Sequence, residues 1–149
     1  MNMEDEEREQ MLKMSEPMLE TVAKVCNRYP MVEIRVVAQR SDEKEVVIRV
    51  ELERDWEPED DLEVESEEQL GELLGAVYAP FYPKRKEEVW WILAVDSAGK
   101  RVLGFKRLTN FVKEKGLELK CESEETKLIV YLLCDSWVGC DQQETVEVA

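Results

Sequence analysis

The chain has 149 residues, 44% hydrophobic and 37% charged, with 20 Lys and Arg against 35 Asp and Glu, a formal charge of −15 and no histidine. That length suits one domain with a core of its own, and that charge excludes general attraction to polyanionic nucleic acid or anionic membrane surfaces. The missing histidine excludes His-based triads, His zinc ligands and the commonest general base near neutral pH.

Residues 1–10, MNMEDEEREQ, lack the basic and apolar regions of a signal peptide, and no stretch approaches 18 apolar residues. With no export signal, the four cysteines (Cys26, Cys121, Cys134, Cys140) are expected as reduced thiols in an intracellular compartment. Residues 3–14 read as a short charged helix and residues 15–27 as a second. Ser15 can cap the second, and Pro17 is tolerated in its first turn. Met18, Leu19, Val22, Val25 and Cys26 then form one apolar stripe at helical spacing. Tyr29-Pro30 ends it, because a residue before proline is pushed out of helical geometry.

After Pro30 the period falls to two. Val32, Ile34, Val36 and Ala38 form one alternating run; Val46, Ile48, Val50 and Leu52 form another, and the polar turn Arg40 to Lys44 makes the pair a hairpin. Runs at 88–95, 101–108, 116–121, 127–134 and 142–148 continue the pattern, with a turn at Asp96-Ser97-Ala98-Gly99-Lys100. About seven strands at short intervals predict a mainly β fold, an antiparallel sandwich of immunoglobulin or fibronectin type III kind over residues 30–149. Residues 1–29 form a helical segment ahead of it. An acidic insertion at 55–76 interrupts the pattern: residues 55–72 hold ten acids and no base. Its first part, 55–65, reads as a solvated loop. Ser66-Glu67-Glu68-Gln69 then reads as a capping box, followed by Leu70, Leu73 and Leu74 and stopped by Gly75. A short helix lying on the sandwich is expected there.

No motif for catalysis or a cofactor emerges. Cys134 and Cys140 are spaced too widely for a zinc knuckle, and Gly99-Lys100 lacks the second glycine and the Ser or Thr of a phosphate loop. The acidic loop lacks the glycine-punctuated pattern of an EF-hand, which leaves calcium-dependent membrane binding as a remote alternative. Residues 84–115 carry nine bases against four acids: Lys84, Arg85, Lys86, Lys100, Arg101, Lys106, Arg107, Lys113 and Lys115. They read as a solvated strand face, as a docking patch for an acidic protein surface, or as an RNA-backbone stripe. Trp90-Trp91 is more informative. Neighbouring strand residues point to opposite faces, so one tryptophan faces the interior and the other faces out. Val89, Trp91, Leu93 and Val95 are apolar, and so are Trp90, Ile92 and Ala94. A strand apolar on both faces is covered on both, either internally or by another protein.

Five segments recur in order: MEDEER at 3–8, Cys-Asn-Arg-Tyr-Pro at 26–30, Lys-Glu-Glu-Val-Trp-Trp at 86–91, Lys-Arg-Leu-Thr at 106–109 and Cys-Asp-Ser-Trp-Val-Gly-Cys-Asp-Gln at 134–142. Together they resemble the C-terminal Sec-sixty-three unit of the Brr-two family, the spliceosomal Ski-two-like DExH-box RNA helicases of the U-five small nuclear ribonucleoprotein. The resemblance covers residues 3–38 and 77–149, and departs at the acidic insertion. It implies the last helices and the immunoglobulin-like or fibronectin type III sandwich of that unit, without helicase motifs and therefore without enzyme activity or cofactor. It further implies a nuclear docking element, in a helicase that unwinds small nuclear RNA duplexes during spliceosome activation. Its partners would be splicing factor proteins and the rest of the parent chain, with RNA contact as the alternative and no membrane. The candidate partner-binding residues are Trp90, Lys84, Arg85, Lys86, Lys106, Arg107 and Trp137.

Overall fold

The computed structural model describes residues 5–56 and 66–149. The chain divides into two compact units, Met1–Pro30 and Met31–Ala149.

The first unit holds α1 (Asp5–Leu12) and α2 (Glu16–Arg28). Ser15 sits at the N-cap of α2 as expected, yet its side chain makes no capping hydrogen bond. Its backbone carbonyl alone starts the helix, accepting from the N–H groups of Met18 and Leu19 at 2.9 and 3.0 Å. Pro17 fits because a first-turn residue has no intrahelical N–H bond to lose. No residue of α2 is buried, and Met18, Val22 and Val25 of its apolar stripe are exposed.

Among the described residues, the second unit is a β-sandwich of seven strands in two antiparallel sheets. β1 (Val32–Arg40), β2 (Glu45–Arg54) and β5 (Glu114–Glu122) form one sheet, in the order β1-β2-β5. β3 (Val89–Val95), β4 (Val102–Thr109), β6 (Lys127–Cys134) and β7 (Gln142–Glu147) form the other, in the order β4-β3-β6-β7. Constant-type immunoglobulin sandwiches divide four and three. Here β4 bonds to β3, so the division is three and four.

Period-two alternation builds the core, since residues i and i+2 share a face. Val46, Ile48, Val50 and Leu52 of β2 face inward against Trp90, Ile92 and Ala94 of β3 and Leu128, Val130 and Leu132 of β6; all are buried. At one edge Ala38 bridges Val148 in parallel, and Arg40 N–H donates to the Ala149 carbonyl at 2.9 Å. The Arg40 guanidinium also donates to the carbonyls of Ser123 and Glu125 at 2.6 and 2.9 Å, which ties β1 to the β5–β6 connection. The β3–β4 turn needs a left-handed residue, and Gly99 supplies it with φ +69°.

Part of the expected acidic loop lies outside the described residues, namely 57–65. Its first two residues lie outside any helix or strand, with Asp55 exposed and Trp56 turned inward. Asp55 N–H donates to the Met31 carbonyl at 2.8 Å, and Trp56 is buried with Val112. The inserted helix forms as α3 (Glu67–Leu74), and the Ser66 side chain caps it by accepting from Gln69 N–H at 3.3 Å. The expected apolar stripe of Leu70, Leu73 and Leu74 lies outside the described side chains.

Candidate interaction site

β2 continues its inward face one step past Leu52, which places Arg54 where an apolar residue would stand. Its side chain is 1% exposed. Glu88 immediately precedes β3 and lies two positions before Trp90, and that spacing turns Glu88 inward with Trp90. The two charges meet in a bidentate pair, Arg54 Nη1 to Glu88 Oε1 at 2.6 Å and Nη2 to Oε2 at 3.2 Å. Two indole N–H groups complete the carboxylate. Trp90 Nε1 donates to Oε1 at 2.6 Å, and Trp137 Nε1 donates to Oε2 at 2.7 Å. Arg54 also donates to the Phe111 carbonyl at 3.3 Å, and Phe111 meets the Trp90 ring edge-on at 6.0 Å. A buried charge is tolerable only when paired and hydrogen-bonded, and both conditions hold here.

This knot sits at one end of the sandwich and fixes the β6–β7 loop. Lys86 forms an ion pair with Asp135. Asp135 Oδ1 accepts from Val89 N–H at 3.0 Å and from the Ser136 hydroxyl at 2.6 Å. Burial pushes the Asp135 carboxyl up, but Lys86, Ser136 and the Val89 N–H outweigh it and hold it below the usual value. Across the loop, Asp141 Oδ1 accepts from Cys134 N–H at 2.9 Å. Gly139 turns the chain with φ +85°, and Val138 stands at the loop tip, 94% exposed. Burial pushes the Cys134 thiol up to about 11, so it stays protonated at neutral pH. Cys134 is half-buried and Cys140 is buried.

The other face of β3 looks outward. Trp91 and Leu93 lie half-buried there, in register with Arg107 and Phe105 of β4 and with Leu133 and Tyr131 of β6. The Phe105 ring lies 6.1 Å from Trp91, and the Arg107 guanidinium stands 5.9 Å over it. Phe105 is 64% exposed. β7 edges this apolar field with Gln143, Thr145 and Glu147, all exposed. An aromatic centre with one arginine and a polar border is the usual anatomy of a protein interface.

The sequence-derived candidates therefore separate. Trp90 is corrected from partner-facing to interior: it is fully buried and its N–H is spent on Glu88, so Trp91 is the outward member of the pair. Trp137 is half-buried and holds the same carboxylate from the loop side. Lys84 and Arg85 are exposed at the knot end, and Lys86 is tied to Asp135. Lys106 reaches across the rim to the Glu118 carbonyl at 3.1 Å, while Arg107 lies on the outward sheet face. The nine bases thus do not lie on one strand face or along one stripe. Lys100 and Arg101 sit with the Gly99 turn between β3 and β4, and Lys113 and Lys115 flank Glu114 where β5 of the other sheet begins. Sequence reading missed Arg54 and Glu88, although the i, i+2 series 46, 48, 50, 52, 54 and the pair 88, 90 carried the signal. It also missed the exposed aromatic segment 78–82.

Residues 3–147 match the family described as Sec63 Brl domain. The chain is 38% identical over 154 residues to "DExH-box ATP-dependent RNA helicase DExH12" of Arabidopsis thaliana, covering 98% of this chain and 6% of that protein. It is 32% identical over 150 residues to the human "U5 small nuclear ribonucleoprotein 200 kDa helicase", covering 96% and 6%. It is 28% identical over 150 residues to "Activating signal cointegrator 1 complex subunit 3-like" of Dictyostelium discoideum, again covering 96% and 6%. The chain thus spans about one-seventeenth of the length of these relatives, at 6%. On a match that runs nearly its whole length, the chain belongs to the Sec63 Brl domain family.

Proposed function

We propose that this chain is a non-catalytic docking domain, the C-terminal scaffold element of a nuclear pre-mRNA splicing helicase that unwinds small nuclear RNA duplexes during spliceosome activation. Its partners are splicing factor proteins and the remainder of the parent chain. The relatives named for the U5 particle support the splicing context and the nucleus. The placement of β4 beside β3 departs from the constant-type immunoglobulin arrangement and leaves the fibronectin type III-like reading in place. The observation that carries the docking role is the outward face of the four-stranded sheet. Trp91, Leu93, Phe105, Tyr131 and Leu133 form a continuous apolar field around Arg107. Fields of this kind on a soluble domain mark contact sites. The competing RNA-contact reading loses its footing because the bases it needs are dispersed over both sheets and both ends.

The test immobilises the chain and captures proteins from nuclear extract, with and without ribonuclease, beside a Phe105→Ser/Arg107→Glu variant. Both positions are exposed, so the variant keeps the fold. Recovery of named splicing factors, insensitive to ribonuclease and lost in the variant, is expected. Recovery that vanishes with ribonuclease, or that ignores the variant, overturns the docking role of this face.

A further inference from the structure

We infer that the loop 78–85, outside the sheet face described above, is a second contact element that takes an acidic polypeptide segment carrying apolar side chains. The proposal rests on the protein-docking reading and names the chemistry of one partner.

The loop is closed at its base. Val77 and Lys86 form an antiparallel bridge, with Val77 N–H donating to the Lys86 carbonyl at 2.8 Å. A turn inside it is held by Tyr82 N–H to the Ala79 carbonyl at 3.1 Å. Lys86 spans the base, with its ammonium 5.6 Å from the centre of the Tyr82 ring and its charge paired with Asp135. The loop is therefore docked onto the β6–β7 loop that the Glu88 knot fixes. Pro80 and Pro83 restrict its backbone further.

On this clamped support the aromatic side chains point to solvent. Tyr78 is 90% exposed, Phe81 99% and Tyr82 52%. Three aromatic side chains exposed together on a closed loop form a preorganised apolar cluster, which is what an interface anchor requires. Beside these rings stand Lys84 and Arg85, both exposed, and among the described residues no carboxylate lies within ion-pair reach of either. Apolar rings with unmatched cations call for a partner that brings apolar side chains and carboxylates. Single-stranded nucleic acid also pairs rings with cations. Two exposed bases on a chain of charge −15 neutralise too few phosphates for that.

The test measures fluorescence anisotropy with the whole chain and a short labelled peptide in which Asp and Glu alternate with Phe and Leu. Its controls are a twin with Lys for every acid, a twin with Ser for every apolar residue, and an oligouridine. The acidic apolar peptide is expected to bind. Tyr78→Ala/Phe81→Ala should weaken it by about tenfold or more. Lys84→Glu/Arg85→Glu should weaken it and turn preference to the Lys twin. All four positions are exposed, so an unchanged thermal midpoint shows that the variants fold. No saturable binding, equal binding of the Lys or Ser twin or of oligouridine, or indifference to the loop variants overturns the proposal. If the loop fails while extract capture still depends on Phe105 and Arg107, the sheet-face docking role stands and only this inference falls.

Discussion

At the scale of single residues the Arg54–Glu88 pair governs one end of the sandwich. Glu88 receives four donors, two from Arg54 and one from each of Trp90 and Trp137. Removing it strands a guanidinium that is 1% exposed, and an uncompensated buried charge of this kind costs about 3–5 kcal/mol. Glu88→Ala is therefore expected to lower stability by that amount in urea titration, with the midpoint shifted at constant slope. Arg54→Met together with Glu88→Leu should recover part of the loss. The recovery is partial because the two indole N–H groups still lack an acceptor. A double variant no better than Glu88→Ala would show that charge burial is not the issue. Cys134 offers an independent check. Burial raises its thiol from 9.0 to about 11, helped by Glu88 and Cys140 and opposed by the N–H groups of Ser136 and Trp137. A raised folded value favours the protonated form, so this contribution is complete below pH 9.0 and is lost as pH climbs toward about 11. Cys134→Ala should flatten the fall of stability across that window. Cys121, also raised by burial, would account for any slope left.

At the scale of elements, strands were readable because their apolar residues keep strict period two. The hairpin β1–β2, the buried series of β2 and the later strands all follow from it. Two failures have the same origin. Arg54 and Glu88 do not stand out in the sequence because a charge in an alternating run looks like the solvent face; position parity, not residue type, puts them inside. Trp90 and Trp91 could not be told apart because both faces of β3 are apolar, and parity against Glu88 and Ile92 decides it. Sequence also cannot show that Ser15 leaves its α2 terminus to the backbone, since capping depends on a rotamer. The loop 78–85 escaped notice because its aromatics show no period; only the Val77–Lys86 closure reveals them as held outward. Asp135 is the hinge between that loop and the β6–β7 connection, and it yields a prediction at this scale. Its carboxyl is held below 3.8, so its stabilising effect is present above that value and lost as pH falls through the lower folded one. Asp135→Asn should remove this acid-side slope and loosen both loops together. Hydrogen exchange should then speed at Val89 and at Val77, while β2 keeps its protection. Unchanged exchange at Val77 would separate the two loops.

For the whole molecule, the question is which part carries the cooperative fold. Both sheets, the inward faces of β2, β3 and β6, the Glu88 knot and the exposed loop 78–85 all lie within Met31–Ala149. α2 contributes no buried residue. A chain beginning at Met31 is therefore expected to unfold as one unit. With roughly 120 residues at about 0.7 kcal/mol each, its calorimetric enthalpy should be near 80 kcal/mol close to 60 °C and should equal the van't Hoff value. Its folding should be slow for its size, in milliseconds to seconds, because the ladders β2–β5 and β3–β6 join residues far apart in sequence. Added salt should raise the midpoint, since a formal charge of −15 on the full chain leaves mutual repulsion to screen. If the truncated chain instead melts without an enthalpy peak and binds a hydrophobic dye, the sandwich depends on the helices. The two units would then have to be treated as one folding body, and docking through the sandwich would have to be tested only in the longer chain.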